Sequence, residues 1–177
     1  MYNHSMSPLR PLSVGRTLRV RLALLLPITL AAALSGCESR EVEKVLKVTD
    51  VSTGWYDAGI VDGQNKLVPS VRFHLQNVTD EPIKSVQINA VFRQVTEDLA
   101  WGDRLIRGVG TDGLAAGATG GTLVVRSPRG YTGIQSRSEM LRNKDFVDVK
   151  VDLFARHGSR TWAKIGEVPI ERKLLAE

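Results

Sequence analysis

Val147-Asp148-Val149-Lys150-Val151-Asp152-Leu153 alternates apolar and charged side chains without a break. Successive side chains of a strand point to opposite faces, so this stretch predicts a strand with one dry face and one wet face. Val71-Arg72-Phe73-His74-Leu75-Gln76 repeats the pattern. So does the run from Val86 to Phe92, where Val86, Ile88, Ala90 and Phe92 share one face and Gln87, Asn89 and Val91 the other. Between those two runs, Asn77-Val78-Thr79-Asp80-Glu81-Pro82 offers turn-forming side chains and a proline that disfavours continued pairing. His157-Gly158-Ser159 marks another turn, leading into Thr161-Trp162-Ala163-Lys164-Ile165. After Gly166 the apolar set moves from odd to even positions, at Val168 and Ile170, which predicts a β-bulge.

Leu46 to Thr53, Leu99 to Val109 and Thr119 to Ser127 read as three further strands. Ile134 to Asn143 reads as the one short helix, because Ser136 and Glu139 have capping-box spacing ahead of Met140 and Leu141. About seven short strands separated by turns predict an all-β domain: a two-sheet antiparallel sandwich of immunoglobulin-like type, occupying residues 45–177. A domain of that size buries roughly two thirds of its unfolded chain's surface.

The N-terminal part is of another kind. Arg10, Arg16, Arg19 and Arg21 occur with no acidic residue, and Leu22 to Leu34 then runs LALLLPITLAAAL. This order of basic and apolar regions is that of an export signal. The 13-residue run is too short for a permanent span, which needs about 20 apolar residues. It ends in Leu34-Ser35-Gly36-Cys37, and Cys37 is the chain's one cysteine. An internal disulfide is therefore impossible. Removal of residues 1–36 also changes the charge balance. The chain has 24 Lys and Arg against 19 Asp and Glu; without the four leader arginines it has 20 against 19. Its basicity belongs to the leader and gives no support to nucleic-acid binding.

Leu34-Ser35-Gly36-Cys37 resembles the lipobox of bacterial lipoproteins. The resemblance implies cleavage before Cys37, a diacylglyceryl group on its sulfur and an acyl chain on its new amino terminus. Two or more acyl chains hold a protein that a single chain would release, each buried methylene contributing about 0.8 kcal/mol. Residues 37–44, with the charged run Glu38 to Lys44, then read as a lipidated tether. Under the familiar sorting rule Glu38 implies a periplasm-facing protein of the outer membrane rather than the inner. A second resemblance covers Val71 to Val125: strand, Asn-rich turn, strand ending in Val91-Phe92, hairpin with Trp101-Gly102, then Leu114-Ala115-Ala116-Gly117-Ala118-Thr119 before another strand. This patterning, which covers under half of the chain after Cys37 and involves no catalytic residues, resembles the bacterial FxLYD-type and related immunoglobulin-like domains, and the resemblance implies an envelope module.

Gly108-Val109-Gly110-Thr111-Asp112-Gly113 matches the spacing of a dinucleotide fingerprint, but the residues after it are poor helix formers. A fingerprint needs helix N-terminal amides for the pyrophosphate, so the stretch reads as a glycine-rich loop and no nucleotide is expected. His74 is expected on a wet strand face and His157 in a turn, neither with a second ligand suitably spaced, so no metal site is expected. Asp148, Lys150 and Asp152 read as an ordinary solvated face. The candidate binding segment is Arg126-Ser127-Pro128-Arg129-Gly130-Tyr131. There Arg126 and Arg129 could grip anionic groups and Tyr131 could stack on a sugar, and the plainer alternative is a solvated crossover with Tyr131 capping the core.

The expectation is thus a non-enzymatic lipoprotein without cofactor, tethered through Cys37 and serving as an interaction or structural module toward an envelope protein partner. The alternative is a receptor for an anionic envelope glycan, peptidoglycan or lipopolysaccharide. An open sheet edge offers a further mode of contact that no side-chain motif reveals.

Overall fold

A long hairpin organises the molecule. In this computed structural model, which describes residues 41–97 and 99–176, β1 (Leu46–Val61) and β2 (Gln64–Asn77) pair antiparallel from Leu46↔Asn77 to Val61↔Gln64. Asp62 and Gly63 close it with φ of 51° and 77°; a two-residue turn with both φ positive matches the right-handed twist of the flanking strands. β5 (Leu123–Arg126) and β6 (Tyr131–Gly133) pair side by side along the other edge of β2, completing the first sheet. The second sheet has the order β4-β3-β7-β8, with β3 (Val86–Gln94), β4 (Ala100–Val109), β7 (Val149–His157) and β8 (Ala163–Pro169), all antiparallel.

The fold is therefore an all-β, two-sheet sandwich with the strand order β1-β2-β5 facing β4-β3-β7-β8. That is an immunoglobulin-like arrangement in which the fourth strand joins the second sheet. The predicted alternations hold. Val71, Phe73 and Leu75 of the first sheet meet Val86, Ile88, Ala90, Phe92, Val149, Val151, Leu153 and Ala155 of the second in one buried core. Full burial of a Phe or Leu side chain contributes about 1.5–3 kcal/mol, so these faces dominate stability. A register shift beside Leu153 and Gly166 is the bulge that the odd-to-even switch predicted.

Four features differ from the sequence reading. β1 continues eight residues past Thr53, and β2 begins seven residues before Val71. Gly54, Gly59 and Pro69 hid these extensions. Pro69 is tolerated because its carbonyl side faces Ser127, whose N–H donates to it at 2.9 Å, in the gap between β5 and β6 where a missing donor costs nothing. Counting β6, there are eight strands rather than seven. There are also two helices: α1 (Val42–Val45) precedes β1, and α2 (Arg137–Arg142) carries the predicted capping box. Finally, Val42, which falls inside the run read as a tether, and Val45 are buried against the core.

Two devices tie the loops down. Asn77, fully buried, donates from Nδ2 to the carbonyls of Glu81, Leu114 and Ala115 at 2.7, 3.2 and 3.0 Å. Its Oδ1 accepts from the N–H and hydroxyl of Thr79. One side chain thereby joins the Asn-rich turn to the Leu114–Thr119 turn. At the C-terminus, Trp55 N–H donates to Lys173 O at 2.8 Å and Leu175 N–H to Trp55 O at 2.9 Å, so residues 173–175 run along the outer edge of β1. A Cβ on Gly54 would lie 2.8 Å from the Leu175 side chain and 2.9 Å from Lys173 O. Arg172 anchors the same segment with a two-pronged grip on Asp148, at 2.7 and 2.9 Å, and holds the Asp148 carboxyl below its ordinary pKa. Among the described residues no helix is long and apolar enough to cross a membrane.

Candidate functional site

The segment leaving β5 is split between two faces. Register places Arg126 opposite Ser70 and Tyr131 opposite Leu67, with Ser127–Gly130 bridging between them. Arg126 points outward, its guanidinium carbon 3.4 Å from the centroid of the Tyr56 ring. Tyr131 points inward, its ring 4.8 Å from Phe146. Phe146 lies 4.5 Å from Trp55, and Trp55 lies 6.2 Å from Trp101. The expected set of Arg126, Arg129 and Tyr131 is therefore broken up. Tyr131 packs, partly buried, against an aromatic core cluster, while Arg129 is exposed on the crossover.

The aromatic that does accompany Arg126 is Tyr56. It comes from the extension of β1, and its register partner Val68 is on the same central strand as Ser70, which faces Arg126. Arg72, opposite Ser52 and Val124, is a diagonal neighbour of Arg126 on this outward face. A small cleft of about 20 Å³ lies among Ser52, Tyr56, Ser70, Arg72, Arg126 and Leu175, room for roughly one water or one anionic oxygen. Arg72, Arg126 and Arg129 have no acidic partner among the described residues. The surface is consequently a shallow basic face with one aromatic plate, suited to an anionic group lying on it.

On the second sheet the outward face is more structural than the sequence implied. Asp152 is not solvated: its side chain is 6% exposed, with Arg93 Nε 2.9 Å from Oδ2 and Lys164 Nζ 2.8 Å from Oδ1. Lys164 also contacts Glu167, and Glu167 pairs with Lys150 at 3.2 Å. Burial raises the Asp152 pKa, but Lys164 and Arg93 outweigh it and the carboxyl titrates below its ordinary value. The neighbour across β8 is what sequence spacing could not show. His74 is on the outward face of β2 as expected, with Nδ1 2.9 Å from Gly120 O and Nε2 3.1 Å from the Thr122 hydroxyl. Its two nitrogens thus bind the loop ahead of β5. No three His, Cys, Asp or Glu side chains among the described residues group as metal ligands. The glycine-rich stretch after Gly108 leads into an isolated bridge at Leu114, and a Cβ on Gly108 would strike the Ile88 side chain at 2.7 Å.

A third surface is apolar. At the far end of the β1–β2 hairpin, Ile60 is 70% exposed and Val61 is also exposed. Ile60 faces Asn65, which faces Gly133, and the next residue, Ile134, is 80% exposed. Asn65 Nδ2 donates to Gln135 O at 2.7 Å and locks this corner. Three exposed branched side chains thus lie at the end of the hairpin opposite Leu46, with Ile60 and Val61 on opposite faces of β1. Sequence reading placed Ile134 on a helix and left Ile60 unassigned, so these exposed positions were not foreseen.

Cys37 lies outside the described residues. No family model matches the chain. No curated protein matches it. It is similar to a solved structure described as the X-ray structure of Northeast Structural Genomics Consortium target SoR45, at 11% identity and a TM-score of 0.44, over 73% of this chain and 89% of that one.

Proposed function

We propose that this chain is a lipoprotein of the bacterial envelope, held to the outer membrane through acyl chains on Cys37, whose sandwich serves as a non-enzymatic interaction module. The observation that supports the interaction role is the exposure of Ile60, Val61 and Ile134 at one end of the β1–β2 hairpin. Exposed apolar side chains are costly in water, and several in one part of a surface are characteristic of protein contact sites. They lie at the end of the hairpin away from residue 41 and on this reading meet an envelope protein partner. The test is to place a photo-crosslinking side chain at position 60 or 134 of the anchored protein. A discrete crosslinked protein that disappears with Ile60→Asp supports the reading. Crosslinks no stronger than those from exposed Val78 would refute it.

The second reading, a receptor for an anionic envelope glycan, is favoured by the Arg126–Tyr56 stack with Arg72 beside it. It replaces Tyr131 with Tyr56 as the sugar-facing ring. Titration with lipopolysaccharide and peptidoglycan fragments separates the readings: equal affinity in Arg72→Ala and Arg126→Ala proteins would remove it.

A further inference from the structure

β4 forms one border of the second sheet: among the described residues it is paired to β3 alone, and its other edge carries no ladder. Such an edge is a template for another strand unless its side chains forbid pairing. Asp103, Leu105 and Arg107 share the outward face, opposite Val91, Asn89 and Gln87 of β3. Asp103 and Arg107 are exposed and have no ion-pair partner among the described residues, and Leu105 between them is 53% exposed. A leucine left half in water at the middle of an edge strand, with free opposite charges two residues to either side, is a self-complementary sequence.

The complementarity is specific to one partner and one register. If a second copy approaches antiparallel with Leu105 on the two-fold axis, Leu105 meets Leu105, Asp103 of each copy meets Arg107 of the other, and Arg104 meets Ile106. Directly opposed side chains on paired strands have Cβ atoms about 4.5–5.5 Å apart, close enough for both ion pairs and the leucine contact. A slide of two residues opposes Leu105 to Arg107 or to Asp103 and loses both ion pairs, and a slide of four opposes Arg107 to Arg107 or Asp103 to Asp103, which repels.

We infer that this chain self-associates through the free edge of β4, in a two-fold antiparallel pairing centred on Leu105 that joins two four-stranded sheets into one of eight. The contact is isologous and closes on itself, giving a dimer and not a fibre. It spans only five residues, at the small end of protein interfaces, so it forms weakly in dilute solution. Attachment of both copies to one bilayer, on the reading given above, raises their effective concentration.

The experiment uses the full chain in its native membrane, with Leu105→Cys introduced and mild oxidation followed by a non-reducing gel. The parent chain, which has Cys37 alone, and a Val95→Cys chain serve as controls. The expected result is a dimer band specific to position 105. It should fall about tenfold with either Asp103→Arg or Arg107→Asp, and return when both reversals are combined in one chain. Recovery in the doubly reversed protein cannot come from misfolding of the single variants, and it does not depend on lipidation of Cys37. Absence of the band, or a band indifferent to all three charge patterns, overturns the inference.

Discussion

Replacing Asp152 by Asn tests how the outward face of the second sheet is held. Asp152 is nearly buried between β3 and β8 and is bonded to Arg93, whose side chain is 26% exposed, and to Lys164, at 44%. Lys164 is well solvated and is left out of the sum. The bond to Arg93 is charge-assisted and partly screened, which puts its net contribution near the lower end of about 1.5–3 kcal/mol. Asparagine keeps an acceptor oxygen, so Asp152→Asn should cost about 1–2 kcal/mol at neutral pH, a fall in Tm of roughly 4–8 °C for a domain of this size. The acid dependence fixes the cause. A carboxyl with depressed folded pKa contributes stability that is complete above its unfolded value and is lost as pH falls through the folded one. The gap between parent and variant should therefore be constant from about pH 7 to pH 5 and shrink below about pH 4. Thermal melts by circular dichroism across that range measure it. A gap that does not change with pH, or no gap at all, would refute the electrostatic account and assign Asp152 a packing role.

Asn77→Ala removes the bonds that a buried amide gives to the Glu81, Leu114 and Ala115 carbonyls and leaves the last two with the Ile83 and Ala118 N–H donors alone; a loss of about 2–4 kcal/mol in urea unfolding is expected. Asn77→Asp, which cannot donate, should be no better. Gly54→Ala drives a methyl into Leu175 and Lys173 O, so it should cost about 1–3 kcal/mol and release residues 173–175, seen as faster amide exchange at Trp55 and Leu175. Ser136→Ala removes the hydroxyl that accepts from the Glu139 N–H and donates to its carboxylate, while the backbone N–H of residue 136 keeps its bond to that carboxylate; it should cost about 1 kcal/mol, with the Glu139 carboxyl, now held below its ordinary pKa chiefly by the Ser136 hydroxyl, returning part of the way upward on NMR titration.

Strand alternation made the core legible because it depends on neighbours two residues apart. Val71, Phe73 and Leu75, or Val149, Val151 and Leu153, declare their face without knowledge of the rest of the chain. The capping box at Ser136 and the bulge at Gly166 were legible for the same local reason. What stayed hidden required cross-strand partners. Trp55 to Val61 did not read as strand because Gly54 and Gly59 lower its propensity, and only pairing with Leu67 and Asn65 holds it extended. Tyr131 and Arg126 are five residues apart, close in sequence, yet the crossover at Pro128–Gly130 sends them to opposite faces. Arg126 and Tyr56, seventy residues apart, are brought together by β2. Asp152 likewise looked solvated because Lys164, which helps cover it, arrives from β8.

The anchor at Cys37 carries the functional proposal, since every surface described above serves an envelope role only if the chain is held there. Mass spectrometry of the N-terminal peptide from protein extracted out of its native membrane tests it directly. The account predicts a peptide that begins at Cys37, with a thioether-linked diacylglyceryl group and an acylated amino terminus. A peptide that retains residues upstream of Cys37, or one with a free thiol at that position, would contradict it.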